Sequence, residues 1–372
     1  MGELRVALVH PYTWPEVRRG GERYVEDLAV YLAGHAVDVE VLTGASEQGS
    51  VVHRPDGVTV RRRRHVLRHR LARWDVTAVE TFGLPAWSAL LRHRYDVVHA
   101  MTPTGAIAGR LAGQRTVFTV IGHPTAEQLT HRSYDRRMFG SAFRMATAAA
   151  ALSRASADQV ERLFGRRTEV LGPGVRSERF TPDLAPRRGP PRVLFSASAG
   201  DRRKGLDVAV LAFSRLLADH PDARLWVSGE GDCAWALASL PNGDRTRVAS
   251  AIDQLGTGSV DDVPARYRAA SVTVLPSMDE AFGMVLVESL ACGTPVVCTS
   301  SGGPPEIVDG ADVGFVVDRT SEALADGLER ALVLARRPDT PARCVSHSSR
   351  WEWESAVGPA HLAFYRRLAC RA

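Results

Sequence analysis

The stretch Leu275 to Val317, LPSMDEAFGMVLVESLACGTPVVCTSSGGPPEIVDGADVGFVV, decides how this chain is read. A strand ends at Leu275, and a polar turn carrying Glu280 follows. Phe282, Leu286 and Leu290, with Val287 and Ala291, recur at three and four residues and make one buried stripe, which predicts a helix starting near Gly283 and carrying Glu288. Gly293 stops that helix. A strand from Val296 to Cys298 comes next, then a glycine loop at Gly302 and Gly303 and a short strand, Gly314 to Val317. The whole is a βαβ unit with its ligand face at the carboxyl ends of its strands.

The turn offers backbone N–H groups from Phe282 through Gly283, Met284 and Val285 to Leu286 at a helix N-terminus. Unpaired donors and the helix dipole there favour an anion such as a diphosphate. Glu280 and Glu288 flank that anion site eight residues apart. A carboxylate does not bind phosphate, so both are placed instead to accept hydrogen bonds from sugar hydroxyls.

Outside this stretch the pattern of strand, polar or glycine turn and helix repeats. Strands are expected at Arg5 to Val9 and Val37 to Leu42, with a helix between them that buries Val25, Leu28, Ala29 and Leu32. The turn into that helix holds Gly20 and Gly21, where backbone can come close to a phosphate. Further strands are expected at Asp96 to His99, Thr116 to Ile121, Ala148 to Leu152 and Arg192 to Ser196. Such alternation predicts α/β domains with parallel, doubly wound sheets. Arg202, Arg203 and Lys204 precede a helix whose dipole disfavours cations, so a bound anion is the natural compensation.

At 372 residues the chain can bury more than one core, and the proline-rich LAPRRGPPR, from Leu184 to Arg192, reads as a linker. The expected domains are residues 1–183 and 184–350, with an amphipathic helix over 351–372 that buries Val357, Leu362, Tyr365 and Leu368. A hydrophobic fraction of 45% and a charged fraction of 24% are those of an ordinary globular protein. No apolar run approaches a membrane span, and MGELRVALVH leads into a strand instead of a signal peptide, so a cytoplasmic enzyme is expected. The five cysteines are odd in number and show no CxxC spacing, which argues against a disulfide framework or a zinc site. No Asp-x-Asp pair ends a strand, so neither a metal nor a cofactor is expected.

The net charge is only +5, and the cations are arginines except for Lys204, the one lysine of the chain. The densest basic segment is Val58 to Trp74, in which Leu67, Leu71 and Trp74 fall on one helical face. Two readings stay open: a helix docked on its own domain with a solvated cationic face, or a weak contact of Arg61 to Arg73 with an anionic membrane. Nucleic acid is not an expected partner, because no recognition motif accompanies the charge and no aromatic residues interleave the arginines.

The motif E-x7-E from Glu280 to Glu288, within EAFGMVLVESLACGTPVV and followed by SGG and PEIV, resembles the retaining glycosyltransferases of family 4. The resemblance implies the GT-B fold: two Rossmann-like domains facing a cleft, with the C-terminal helix crossing back to the first. It implies transfer of a sugar from a GDP- or UDP-linked donor to a small-molecule acceptor, with retention and without metal, in secondary-metabolite or cell-envelope glycoside biosynthesis. The roles it implies are donor-sugar binding for Glu280, Phe282 and Gly283, and ribose and base binding for Glu288, Ser259, Val260 and Gly229. Donor phosphate falls to Gly20, Gly21, Arg203, Lys204, Gly283, Met284 and Val285, and catalysis to Glu280, Lys204 and His123. Two departures stand out. The family's phosphate-binding arginine falls on Ser198, so that Arg202 or Arg203 takes its place or the stabilisation is weaker, and Ile121 and Gly122 shift the loop histidine to His123. A peripheral-membrane phospholipid glycosyltransferase, a nucleotide-sugar epimerase and a nucleotide-sugar-binding protein without transfer remain as alternatives.

Overall fold

Val6, Ala7, Leu8 and Val9 are apolar at every position and fully buried, as a parallel strand covered on both faces must be. This strand, β1 (Leu4–Val9), centres the first of two compact units, which consist of Met1–Gly174 with Trp353–Ala372 and of Val175–Glu352. The structure is a computed structural model that describes residues 4–45, 49–64, 81–122, 124–131, 133–184, 189–259 and 261–370. The chain enters the second unit at Val175, whose N–H donates to Trp351 O at 2.7 Å and which bridges to Glu352. The proline-rich stretch expected as the linker begins nine residues later, inside that unit.

Among the described residues the first unit has an eight-stranded sheet in the order β3-β4-β2-β1-β5-β6-β7-β8. The strands after β1 are β2 (Val37–Ala45), β3 (Ser50–His53), β4 (Thr59–Arg64), β5 (Val97–Ala100), β6 (Thr116–Val120), β7 (Ala148–Ala151) and β8 (Glu169–Val170). All pair in parallel except β3, which is antiparallel to β4. The chain winds outward from β1 in both directions, which makes the carboxyl end of β1 a topological switch point. Helix Gly20–Gly34 follows β1 and buries Val25, Leu28, Ala29 and Leu32 as expected.

The basic segment is a correction. Thr59–Arg64 is a strand, paired on one side with β2 and on the other with β3, and not the start of an amphipathic helix. The sheet wins because Arg61 and Arg62 find carboxylates there: Arg61 pairs with Glu40 on β2, and Arg62 donates to Glu16 at 2.7 Å. Leu67, Leu71 and Trp74 lie outside the described residues. Among those described, no helix is long and apolar enough to cross a membrane.

Helix Gly358–Ala369 belongs to the first unit, with Leu362, Tyr365 and Leu368 buried and Val357 part-exposed just before it. Its polar contacts are buried as well. His361 Nδ1 stands 2.9 Å from the Val357 carbonyl, which can only accept, so that nitrogen carries the proton and Nε2 accepts from the Tyr24 hydroxyl at 2.9 Å. His99 shares hydrogen bonds with the Tyr365 hydroxyl at 2.5 Å and with Thr119 Oγ1 at 2.6 Å. Burial drives the pKa of His99 down to about 3 and that of His361 down to about 4.

In the second unit the described residues form a six-stranded, wholly parallel sheet in the order β11-β10-β9-β12-β13-β14. Its strands are β9 (Arg192–Ser196), β10 (Arg224–Ser228), β11 (Ile252–Gln254), β12 (Val272–Leu275), β13 (Val296–Thr299) and β14 (Gly314–Val317). Val193, Phe195, Leu225, Val227, Val272 and Val274 form the core beneath helix Leu206–Asp219. The winding reverses between β9 and β12, which makes the carboxyl ends of these two strands the topological switch point of this unit.

The two histidines predict a pH dependence with a definite sign. Below the ordinary value near 6.5 the unfolded chain takes up protons that folded His99 and His361 refuse, so stability is full above about pH 6.5 and falls as the pH drops toward 4. Calorimetry of the chain between pH 7 and 4.5 should show a falling Tm, and H361Q, which cannot charge, should flatten the decline. A Tm independent of pH contradicts the neutral network.

Candidate functional site

The loops after β9 and β12 meet at the switch point of the second unit. Asp201 accepts from the Arg203 N–H at 3.0 Å and so caps the one-turn 3-10 helix Arg202–Lys204. Gly205 then turns the chain into helix Leu206–Asp219 with φ at +75°. A Cβ there would stand 2.3 Å from the Pro276 carbonyl oxygen, so only glycine lets this turn lie against the end of β12. Met278 N–H donates to Arg203 O at 2.7 Å, and Arg319 Nε donates to Pro276 O at 3.0 Å from the far edge of the sheet.

This packing brings Lys204 Nζ within 2.6 Å of Glu280 Oε2, with both side chains mostly buried. Glu280 is fixed in turn by its backbone, which bridges to Gly302 and accepts from Gly303 N–H at 2.8 Å. The helix follows as Met284–Ala291, with Gly283 as its N-cap and no side chain capping it. Phe282, Leu286, Val287, Leu290 and Ala291 are all buried, as their spacing predicts. Leu286 N–H already donates to Gly283 O at 2.9 Å, so the donors offered to an anion are those of Gly283, Met284 and Val285.

Glu288 is 4% exposed, and its Oε2 accepts from the Tyr267 hydroxyl at 2.9 Å. Gly229 follows β10, and its N–H donates to Gly256 O at 3.1 Å. Ser259 N–H donates to Asp262 Oδ2 at 2.6 Å. Val260 and His123 lie outside the described residues.

Each of the cations at 202–204 already has a partner within the fold. Arg203 makes two side-chain hydrogen bonds to Asp201, at 3.2 and 2.7 Å. Arg202 lies 4.7 Å over the ring of Trp235, and Lys204 is paired with Glu280. Ser198 is exposed, its Oγ donating to the Glu230 carbonyl at 3.3 Å. Sequence reasoning missed Tyr267 and Arg319, whose contacts span 21 and 43 residues and leave no trace in local spacing.

In the first unit Gly20 and Gly21 open helix Gly20–Gly34 beside the switch point at β1. Arg19, the extended N-cap residue, donates to buried Glu22 at 2.6 Å and lies 5.1 Å over the Tyr12 ring. His10, at the end of β1, is buried with Nδ1 2.9 Å from Tyr12 O, and burial lowers its pKa. Among the described residues no three His, Cys, Asp or Glu side chains cluster as metal ligands would. Four cysteines are buried, and burial pushes the Cys298 thiol up to about 12, which leaves it inert.

A parallel α/β unit with a cation, a carboxylate and a helix N-terminus at its switch point is built to hold an anionic, hydroxylated ligand such as a nucleotide sugar, the working equipment of a glycosyltransferase. Known proteins agree with this class. A model described as "Glycosyl transferases group 1" matches residues 178–347, and one described as "Glycosyltransferase Family 4" matches residues 18–179. The D-inositol 3-phosphate glycosyltransferase of Geodermatophilus obscurus is 30% identical over 92% of this chain and 83% of its own. The GDP-mannose-dependent alpha-(1-6)-phosphatidylinositol monomannoside mannosyltransferase of Mycobacterium tuberculosis is 29% identical over 83% and 79%. Among solved structures, the sucrose-phosphate synthase of Thermosynechococcus elongatus superimposes with a TM-score of 0.81 at 20% identity, covering 98% of this chain and 99% of that one. The chain belongs to glycosyltransferase family 4, and its two Rossmann-like units are of the GT-B type.

The close approach at Gly205 yields a prediction. G205A should destabilise the protein by about 2 kcal/mol, through steric conflict with Pro276 O and the left-handed φ. Urea unfolding checks it, and an unchanged midpoint means that the two loops do not depend on this contact.

Proposed function

We propose that the protein transfers a sugar from a nucleoside-diphosphate sugar to a hydroxyl of a small-molecule acceptor, with retention at the anomeric carbon and without a divalent metal. The observation that carries this reading is the Lys204–Glu280 pair set beside the uncapped start of helix Met284–Ala291. The reaction has to stabilise a departing diphosphate while the sugar gains oxocarbenium character. The Lys204 ammonium has three donors; one goes to Glu280, and the others serve the phosphates together with the N–H groups of Gly283, Met284 and Val285. Glu280 accepts from the sugar's hydroxyls and Glu288 from the ribose. Gly229 and Ser259 serve the base.

Double displacement needs a second carboxylate close to the anomeric carbon as nucleophile. Glu288 is ill suited to that part, being buried and held by Tyr267. We therefore assign front-face attack: the bond from the anomeric carbon to the phosphate oxygen breaks as the bond to the acceptor oxygen forms, and the acceptor's proton passes to the departing phosphate. For the acceptor, the name of the Geodermatophilus relative makes a phosphorylated cyclitol the first compound to test, in secondary-metabolite or cell-envelope glycoside biosynthesis. A protein that binds nucleotide sugar without transferring it is the second reading, favoured by the uncharged Ser198.

Titration with UDP and GDP, in EDTA and then in magnesium, tests the donor half of the proposal. Tight binding of one of them in EDTA is expected. Turnover with the matching sugar nucleotide then separates the two readings. K204A and E280A should each lower kcat/KM at least roughly a hundredfold. Wild-type turnover in either variant overturns the assignment.

A further inference from the structure

Helix Asp262–Ala269 turns two adjacent side chains toward the carboxyl edge of the second unit's sheet. One is Tyr267, which holds Glu288. The other is Arg266, to which the nucleotide-sugar reading gives no part. Its Nη1 donates to Ser228 Oγ at 2.6 Å and to Gly256 O at 2.7 Å, and its Nη2 donates to Leu255 O at 2.8 Å. Ser228 ends β10, while Leu255 and Gly256 immediately follow β11. The guanidinium therefore spans the place where two parallel strands end, and it donates to the Leu255 and Gly256 carbonyls just beyond them. The loop also bends closely around it: a Cβ on Gly258, where φ is +65°, would stand 2.5 Å from Nη2.

We propose that Arg266 is a positioning residue for the nucleoside end of the donor. It acts through residues 255–259 and does not touch the ligand. Gly256 and Gly258, both at positive φ, give this loop wide freedom when it is not held. A loop that must be ordered before the base can dock lowers apparent affinity by the fraction of time it spends in the competent form. Arg266 meets that cost in advance by fixing the Leu255 and Gly256 carbonyls, with Gly229 N–H as a further donor to Gly256 at 3.1 Å. The diphosphate end is fixed by other residues, those around Lys204 and the start of helix Met284–Ala291, so the two ends of the ligand are separable. This inference rests on the nucleotide-sugar reading and assigns one side chain to its base end.

The test uses R266M, which keeps the stem and removes every donor, with two probes: the nucleoside diphosphate that the wild type prefers and inorganic pyrophosphate, which has no base. R266M should bind the nucleotide roughly tenfold more weakly, the loss expected when carbonyls give up a charged donor. It should bind pyrophosphate as the wild type does. In turnover the donor KM should rise with kcat at saturating donor kept, and R266K, with one nitrogen in place of a fork, should recover part of the affinity. Unchanged nucleotide affinity in R266M overturns the proposal. An equal loss for both probes does so too, because Arg266 is then a general support of the unit. If R266M does not fold, R266K is measured against the same two probes, and wild-type affinity for both overturns the proposal. Wild-type protein that binds neither UDP nor GDP overturns the nucleotide-sugar reading itself, whereas wild-type binding with an unaltered R266M overturns only this one.

Discussion

The ion pair between Lys204 and Glu280 joins residues 76 positions apart, and much of the second unit is arranged so that they meet. Lys204 leaves β9 and Glu280 leaves β12, neighbours in the sheet although β10 and β11 intervene in sequence. The pair is mostly withdrawn from water, where removing one partner leaves a costly uncompensated charge. Its geometry is held by backbone, through the Gly205 turn against Pro276 and the bond from Met278 N–H to Arg203 O. Arg319 closes the arrangement from the opposite edge of the sheet.

How far the sequence revealed this depended on the range of each interaction. Helix Met284–Ala291 was legible because its stripe of Phe282, Leu286 and Leu290 is a local property of a 3.6-residue repeat. Glu280 and Glu288 were legible by their spacing about that helix. The partners of these residues were not. Tyr267 meets Glu288 only after helix Asp262–Ala269 has packed on the sheet, and Arg203 chooses Asp201, two residues away, where dipole reasoning alone expected a ligand. The segment from Thr59 to Arg64 went wrong for a related reason: helical spacing at Leu67, Leu71 and Trp74 was extended back over arginines whose carboxylate partners, Glu40 and Glu16, lie elsewhere in the chain.

The two units differ in how the chain builds them. The second is one continuous run, Val175–Glu352, with its own core beneath helix Leu206–Asp219. The first takes residues from both sides of that run. Tyr365 and His361 complete its interior by hydrogen bonding to His99 and Tyr24, so these buried polar side chains are paired only once residues more than 250 positions apart have met. Contacts of such separation form slowly, and the continuous unit is free to fold before the first is closed.

Lys204 is also the one lysine among the 47 cationic side chains counted as Lys and Arg. Arginine keeps its proton under any ordinary condition, whereas an ammonium on a flexible stem can release its own. The chain thus carries a single side-chain amine, and it stands at Glu280. An acylating or reductively alkylating reagent that needs a free amine finds one side chain to modify. Apart from the α-amine of the chain, a spectroscopic label introduced in that way reports from the switch point of the second unit without a lysine having to be removed anywhere else.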